Sequence, residues 1–320
     1  MTYENALKEI VVADERYVVM TAENRAAIRN LPSELNGRFI DTGITEQTMI
    51  GAAAGLALRG RIPVAHGLAA FLTMRAFEFT RTDVGLPNLP VKLVGGVPGF
   101  LSDANGPTHQ ALEDIGLMRG IPNMQIFCPA DEEDLVIGLR QVLESPHPCY
   151  IRHNALPAVI GHNPNFEIGQ AEQISAGHDV AILVYGMLFS QAYQAKNHLE
   201  AQGISARLLN LRTVKPIDAA AVLQAAQETR LLVTLEDHFL TGGLFSIVSE
   251  LLVRHHTLAK VFPFALENRW FNPGLLDEVL AYEGFTGPQI AARIRQVLAK
   301  IPDEQKGSSY AKYRHYRRRL

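Results

Sequence analysis

Apolar positions along the chain come in short runs separated by stretches with helical spacing. The runs at 17–21, 62–66, 91–95, 124–128 and 149–152 are too short for helices and predict buried strands. Between them, 46–59, 69–83, 111–119 and 131–144 read as helices. Gly60 and Gly120 follow two of these helices, where a left-handed residue is favoured, and Asp131 after Pro129 is placed to cap the last. Strand followed by helix, repeated, predicts a parallel sheet with helices on both faces. From 154 to 177 the pattern lapses among prolines, glycines and asparagines, as a linker does. Alternation then resumes, with strands at 180–185, 206–211 and 231–235 and helices at 190–201, 218–228, 243–254 and 288–299. Thr286 with Gln289 three residues on makes a capping box with proline in the first turn. The expected fold is α/β: two consecutive three-layer α/β domains with mainly parallel sheets. Residues 1–160 form the first, 161–177 the linker, 178–305 the second and 306–320 a basic tail.

Composition narrows the functional classes. The 320 residues carry 30 Lys and Arg against 33 Asp and Glu, a net charge of −3. No global positive field is available for a nucleic acid or an anionic membrane, so neither is an expected partner. The longest apolar run, 180–189, is about half the length of a membrane span. The acidic residues in MTYENALKEIVV at the start do not read as a signal peptide. Two cysteines, Cys128 and Cys149, exclude a disulfide scaffold and point to the reducing cytoplasm. Only the tail, KGSSYAKYRHYRRRL, is basic with interleaved tyrosines. It reads as a solvated tail or an arm packed on a partner subunit, in preference to a nucleic-acid or acidic-lipid contact.

In parallel α/β sheets ligands gather at the carboxyl ends of the strands. The loops there hold Glu23, Glu46, His66, a Gly- and Pro-rich stretch over 95–106, His109 and Arg152. Glu46 opens a helix, MIGAAAGLAL in its following turns, that is apolar on most sides. The helix N-terminus favours its carboxylate and burial favours the neutral acid, so it either complements the dipole or shares a proton with a ligand nitrogen. His109 closes a long loop, a place for an acid, a base or a hydrogen-bond donor as well as for a histidine satisfied within the loop. Phe71, Met74 and Phe77 share a helix face, as core or as a platform for a planar ring. Arg152 ends a strand, suited either to an anionic ligand or to a structural ion pair. Phosphate-loop, dinucleotide, nucleophile-elbow and zincin motifs are missing, no cysteine pair has metal spacing, and no Gly-Asp-Gly stretch is present. No metal ligand is therefore assigned to this chain.

These segments, taken in order, resemble the transketolase family. RFIDTGITEQTMIGAAAGLAL (38–58), NLPVKLVGG (88–96), NGPTHQALEDIGLMRGIPNMQIFCPADEEDL (105–135) and CYIRHN (149–154) are similar to the pyrimidine-binding domain. LEDHFLTGGLFSIVSELL (235–252) is similar to the C-terminal domain. The resemblance implies that Glu46 meets ring nitrogen N1′ of thiamine diphosphate and that Phe71 stacks on the aminopyrimidine, with Ile44 and Met74 beside it. It implies that His109 handles protons at the reactive centre, and that Arg152, Asn105 and His66 read the substrate, with Arg152 on its anionic group. Asn105 replaces the family's usual aspartate, Gly95-Gly-Val-Pro98 lacks its histidine, Leu68 replaces an aromatic, and Glu23-Asn24 replaces an acidic–apolar pair. A non-standard, anionic sugar is therefore expected. The family's Gly-Asp-Gly stretch, which holds Mg²⁺ and the diphosphate, implies a diphosphate-binding partner subunit in an α2β2 heterotetramer. The implied activity is transfer of a two-carbon ketol unit from a ketose to an aldose. The alternatives are a split thiamine-diphosphate synthase or ligase that decarboxylates a 2-oxo acid, and a non-catalytic subunit that retains the fold.

Overall fold

A computed structural model describes residues 1–302; the basic tail expected at 306–320 lies outside the described residues. The strands are β1 Tyr17–Thr21, β2 Phe39–Asp41, β3 Ile62–Leu68, β4 Lys92–Gly96, β5 Gln125–Phe127, β6 Cys149–Arg152, β7 Glu172–Ser175, β8 Val180–Val184, β9 Ala206–Asn210, β10 Thr213–Lys215, β11 Leu231–Phe239 and β12 Val261–Leu266. The helices are α1 Tyr3–Ala13, α2 Glu46–Leu58, the short α3 Phe77–Phe79, α4 Asp114–Arg119, α5 Glu132–Glu144, α6 Phe189–Glu200, α7 Ala219–Glu228, α8 Leu244–Arg254, α9 Leu276–Glu283 and α10 Gly287–Leu298.

Two sheets result. The first has the order β10-β5-β6-β4-β3-β1-β2 and the second β12-β11-β8-β9-β7. Within each, the pairs are parallel except at one edge: β10 is antiparallel to β5, and β7 to β9. Period-two alternation decides the layers. In β1, Tyr17 and Val19 pack with Leu7, Val11 and Leu139 of α1 and α5, whereas Val18 and Met20 pack with Met49, Ile50 and Ala53 of α2. In β8, Val180 and Ile182 join Ala192, Ile290 and Ile294 of α6 and α10, and Ala181 and Leu183 face Val222 and Val248 of α7 and α8. The apolar cluster containing α2 and β1 is the same one that contains α7 and α8, so the two domains share a core.

Several elements differ from expectation. The second domain's β10 completes an edge of the first sheet, and β7 arises inside the stretch read as linker. Residues 69–83, expected as one α-helix, instead carry π-helical turns at Phe71–Arg75 and Thr80–Gly85 on either side of α3. In the first, the Ala76 N–H reaches back five residues to the Phe71 carbonyl at 3.0 Å. Such turns recur at functional sites. Helix α2 is also less enclosed than its composition suggests: Thr48, Ala52, Gly55 and Leu58 are exposed or half-buried along one side.

Candidate functional site

Four side chains converge at the start of α2. Glu46, the first residue of that helix, is 2% exposed. Its Oε2 accepts a hydrogen bond from Arg75 Nη1 at 3.0 Å. Among the described residues, its Oε1 accepts none. The Arg75 guanidinium lies 4.0 Å over the ring of Phe71. Phe71 meets His109 edge to face, with centroids 5.1 Å apart. His109 Nδ1 is 2.9 Å from Thr108 Oγ1, which fixes the ring's orientation. Met74 and Phe71 are half-buried against Ala69, Ala70 and Ala111. These small residues form an apolar floor under the two side chains. Ile44, in the loop before α2, is exposed.

The loops around this group are held tightly. Val97, between β4 and the 3₁₀ turn Gly99–Asn105, has φ +48°, a strained value for a β-branched residue. Gly99 has φ +56°, and a Cβ there would fall 1.8 Å from Asp237 Oδ2. Gln110 is buried, and its Nε2 donates to the Phe271 carbonyl of the second domain at 3.0 Å. The C-terminal domain thus clasps the loop that carries Asn105 and His109. Asn105 itself is exposed at the end of the 3₁₀ turn.

Two residues expected at the substrate, Arg152 and His66, are buried and paired within the chain. Arg152 is 2% exposed: its Nε donates to Asp114 Oδ2 at 2.8 Å and its Nη1 to Asp237 Oδ1 at 2.7 Å. Its guanidinium is engaged in a buried ion-pair network between the domains, the structural alternative to anion binding. Burial pushes the Asp237 carboxyl above its ordinary range, and the guanidinium pulls it part of the way back. His66 is likewise buried, taking a hydrogen bond from Tyr3 Oη at 2.8 Å and pairing with the Met20 carbonyl at 3.3 Å. Burial lowers its pKa to about 3, which leaves it neutral.

Arg75 was not singled out from the sequence, although an arginine four residues after Phe71, flanked by apolar residues, is a legible signal. Sequence reasoning also gave no role to Glu236-Asp237-His238. Glu236 accepts the N–H groups of Leu244 and Phe245 at the start of α8. His238 Nε2 accepts the Gly116 N–H of α4 at 3.2 Å, a second tie between the domains. In the stretch read as linker, His162 bonds Glu172 at 2.7 Å and Asp131 at 2.8 Å. Asp134, His162 and Glu172 are spaced as metal ligands, but Arg212 sits among them, 2.8 Å from Asp134 and 3.2 Å from Glu172, and supplies the cation.

Comparison with known proteins decides the ancestry. The family described as transketolase, pyrimidine binding domain, matches residues 1–155, and transketolase, C-terminal domain, matches 169–290. The chain belongs to the transketolase family. It is 39% identical over 78% of its length to 6-deoxy-6-sulfo-D-fructose transketolase subunit SqwH of Clostridium sp. (strain MSTE9), covering 79% of that protein. It is 33% identical to a putative transketolase C-terminal section of Methanocaldococcus jannaschii, covering 93% of this chain and 95% of the relative. A solved split gene transketolase, described as an inactive beta4 tetramer, superposes with a TM-score of 0.83 at 33% identity over 94% of this chain and 98% of the other. Against a 1-deoxy-D-xylulose-5-phosphate synthase of Dictyoglomus thermophilum, 35% identical, the chain matches only 43% of the relative's length. The chain is thus a transketolase-type transferase subunit, built as the pyrimidine-binding and C-terminal domains of an enzyme family that depends on thiamine diphosphate. Among the described residues no helix is long and apolar enough to cross a membrane.

Proposed function

We propose that this chain is the smaller subunit of a two-subunit transketolase that moves a two-carbon ketol unit from an anionic ketose to an aldose. A diphosphate-binding partner subunit, in an α2β2 assembly, would complete the cofactor site and hold its Mg²⁺. The observation that carries the reading is the group Glu46, Phe71 and His109, which follow β2, β3 and β4 in turn and are linked through Arg75, bonded to Glu46 and lying over Phe71. A buried carboxylate with a free oxygen beside an aromatic face fits a planar heterocycle that offers a ring nitrogen.

Thiamine diphosphate, when bound, supplies the electron sink for the two-carbon fragment between donor cleavage and acceptor addition. The residues of this chain do the rest. Glu46 holds and returns a proton at ring nitrogen N1′ of the aminopyrimidine, a task for a carboxyl screened from water. Phe71 stacks on the ring, and Ile44 and Met74 bound it. Ala69, Ala70 and Ala111 give Phe71 and Met74 an apolar backing. His109, held by Thr108, moves protons on substrate hydroxyls. The exposed Asn105 reads the sugar. An anionic substrate is supported by two relatives whose names specify a sulfo-sugar and a sugar phosphate: SqwH, and one of the subunits of an apulose-4-phosphate transketolase from Phocaeicola vulgatus (32% identical). Two free, buried cysteines support a cytoplasmic setting.

The test is ketol transfer by this chain mixed with a diphosphate-binding transketolase subunit. Sugar phosphates and sulfo-sugars serve as donors, and pyruvate is the control. Transfer without CO₂ release, abolished by Glu46→Ala in a folded assembly, supports the proposal. Release of CO₂ from pyruvate would replace it with a decarboxylating synthase, and full activity of Glu46→Ala would remove the assigned mechanism.

A further inference from the structure

Arg75 makes two contacts at once, and both are with groups assigned above to the cofactor. Its Nη1 donates to Glu46 Oε2 at 3.0 Å, and its guanidinium covers Phe71 at 4.0 Å. A guanidinium is planar, carries N–H donors, pairs with carboxylates and stacks on aromatic rings. An aminopyrimidine held by Glu46 and Phe71 needs the same two surfaces: a plane against the phenyl ring and a nitrogen at the carboxylate. The second contact of Phe71, with His109, is edge-on and does not offer an equivalent face. We infer that Arg75 is the built-in occupant of the pyrimidine subsite, a placeholder that must swing out before the cofactor ring can dock. This rests on the cofactor reading of Glu46 and Phe71 given above.

The placeholder has a physical reason. Glu46 is buried at 2% exposure, and a buried carboxylate without a partner is costly. Arg75 keeps it paired within the chain. The arginine is suited to leaving, because its side chain is 41% exposed while the carboxylate is not. Its flexible stem can carry the guanidinium into water without disturbing the fold. The π-helical turn Phe71–Arg75 sets the two residues four apart on one widened turn, which brings the charged tip back over the ring. Cofactor binding then has to displace an internal competitor. The pyrimidine half alone cannot do this cheaply, and the grip of a partner on the diphosphate makes up the difference. The device therefore ties cofactor capture to subunit assembly.

The test is the affinity of thiamine diphosphate with Mg²⁺, measured by calorimetry on this chain assembled with its diphosphate-binding partner. A half-exposed ion pair and a cation–π contact together correspond to roughly a 5- to 30-fold change in affinity. Arg75→Ala is expected to bind the cofactor tighter by that factor, and Arg75→Gln to shift in the same direction by less. In a Glu46→Gln background, where the placeholder has lost its anchor, Arg75→Ala is expected to gain little. Unchanged or weaker binding by both Arg75 variants would overturn the inference and make Arg75 a brace for Glu46. Should Arg75→Ala fail to fold, Arg75→Gln carries the same test. Failure of the wild-type assembly to bind thiamine diphosphate would instead bring down the underlying reading of the site.

Discussion

Replacing Arg152 by methionine separates the two roles open to that residue. In the structure its guanidinium holds two buried carboxylates, Asp114 at 2.8 Å and Asp237 at 2.7 Å, and lies 5.3 Å from the centre of the Tyr185 ring. Asp114 comes from the first domain and Asp237 from the second, so the arginine is the charge that lets them share an interface. Removing one partner of a buried ion pair costs about 3–5 kcal/mol, because the remaining charge stays desolvated. With an unfolding entropy of about 2.1 cal/mol/K per residue, a chain of 320 residues shifts by about 1.5 °C per kcal/mol, so the expected fall in Tm is roughly 4–8 °C. Circular dichroism across a thermal ramp reads it directly. The deficit also depends on pH. Burial raises the Asp237 carboxyl and Arg152 draws it back, so without the arginine it rises further. The variant's deficit is then largest near neutral pH and shrinks on acidification, as the orphaned carboxyl takes up a proton. Adding Asp114→Asn and Asp237→Asn to Arg152→Met should recover part of the loss. A Tm within about 2 °C of the parent, combined with a raised KM for an anionic sugar, would refute the structural role and return Arg152 to the substrate; shifts that small are ordinary for surface changes.

Other outcomes follow from the same contacts. Tyr3→Phe removes the hydroxyl that satisfies buried His66; a loss of about 1–3 kcal/mol in urea unfolding with KM unchanged is expected, whereas a raised KM would make His66 a substrate residue. Burial works against a charged His162, but its bonds to Asp131 and Glu172 prevail and raise its pKa to about 10. That pair should contribute fully below about pH 6.5, the ordinary histidine value, and be lost as pH rises through 10. Burial also opposes the charge on Glu172, yet His162 and its other donors lower its pKa to about 2, so that contribution is present above pH 4.5 and fades toward pH 2. In a His162→Gln variant the alkaline fall in Tm should disappear; its persistence would count against this network. Gly99→Ala would force a Cβ to within 1.8 Å of Asp237 Oδ2 at a left-handed φ, and should lower Tm and loosen the loop carrying His109, visible as faster hydrogen exchange over 99–110. Glu46→Gln should keep the fold and lower kcat by about 10²–10⁴, the range for loss of a general acid–base group; kcat within tenfold of wild type would exclude Glu46 from proton transfer.

Much of the fold was legible because it follows from period and punctuation. The buried strands of both sheets and helices α2, α5, α6, α8 and α10 fall close to where apolar runs and caps put them. Helices α1 and α9 and strand β12 were not read from the sequence, and the shortest strands have patterns too weak to stand alone. β2, β7 and β10 are three or four residues long and gain their meaning from a neighbour: β10 adds to a sheet whose other strands lie before the linker. The π turns at Phe71–Arg75 and Thr80–Gly85 lie in a segment read as one α-helix, because a single widened turn leaves little trace in the apolar spacing. At the site, Glu46, Phe71 and His109 were found by their place after strands and by family resemblance, and the structure brings them together. Arg152 and His66 sit at strand ends in sequence as ligand residues do, but their partners, Asp237 and Tyr3, are 85 and 63 residues away. Only the folded chain could reveal that their polar capacity was already used.

Calorimetric titration of thiamine diphosphate with Mg²⁺ into the chain alone, into a diphosphate-binding transketolase subunit alone, and into the mixture asks whether this chain holds half of a thiamine-diphosphate site. Tight binding is expected in the mixture only, and is lost when Glu46 is changed to alanine. Tight binding to this chain alone, or binding in the mixture that Glu46→Ala leaves intact, would contradict it.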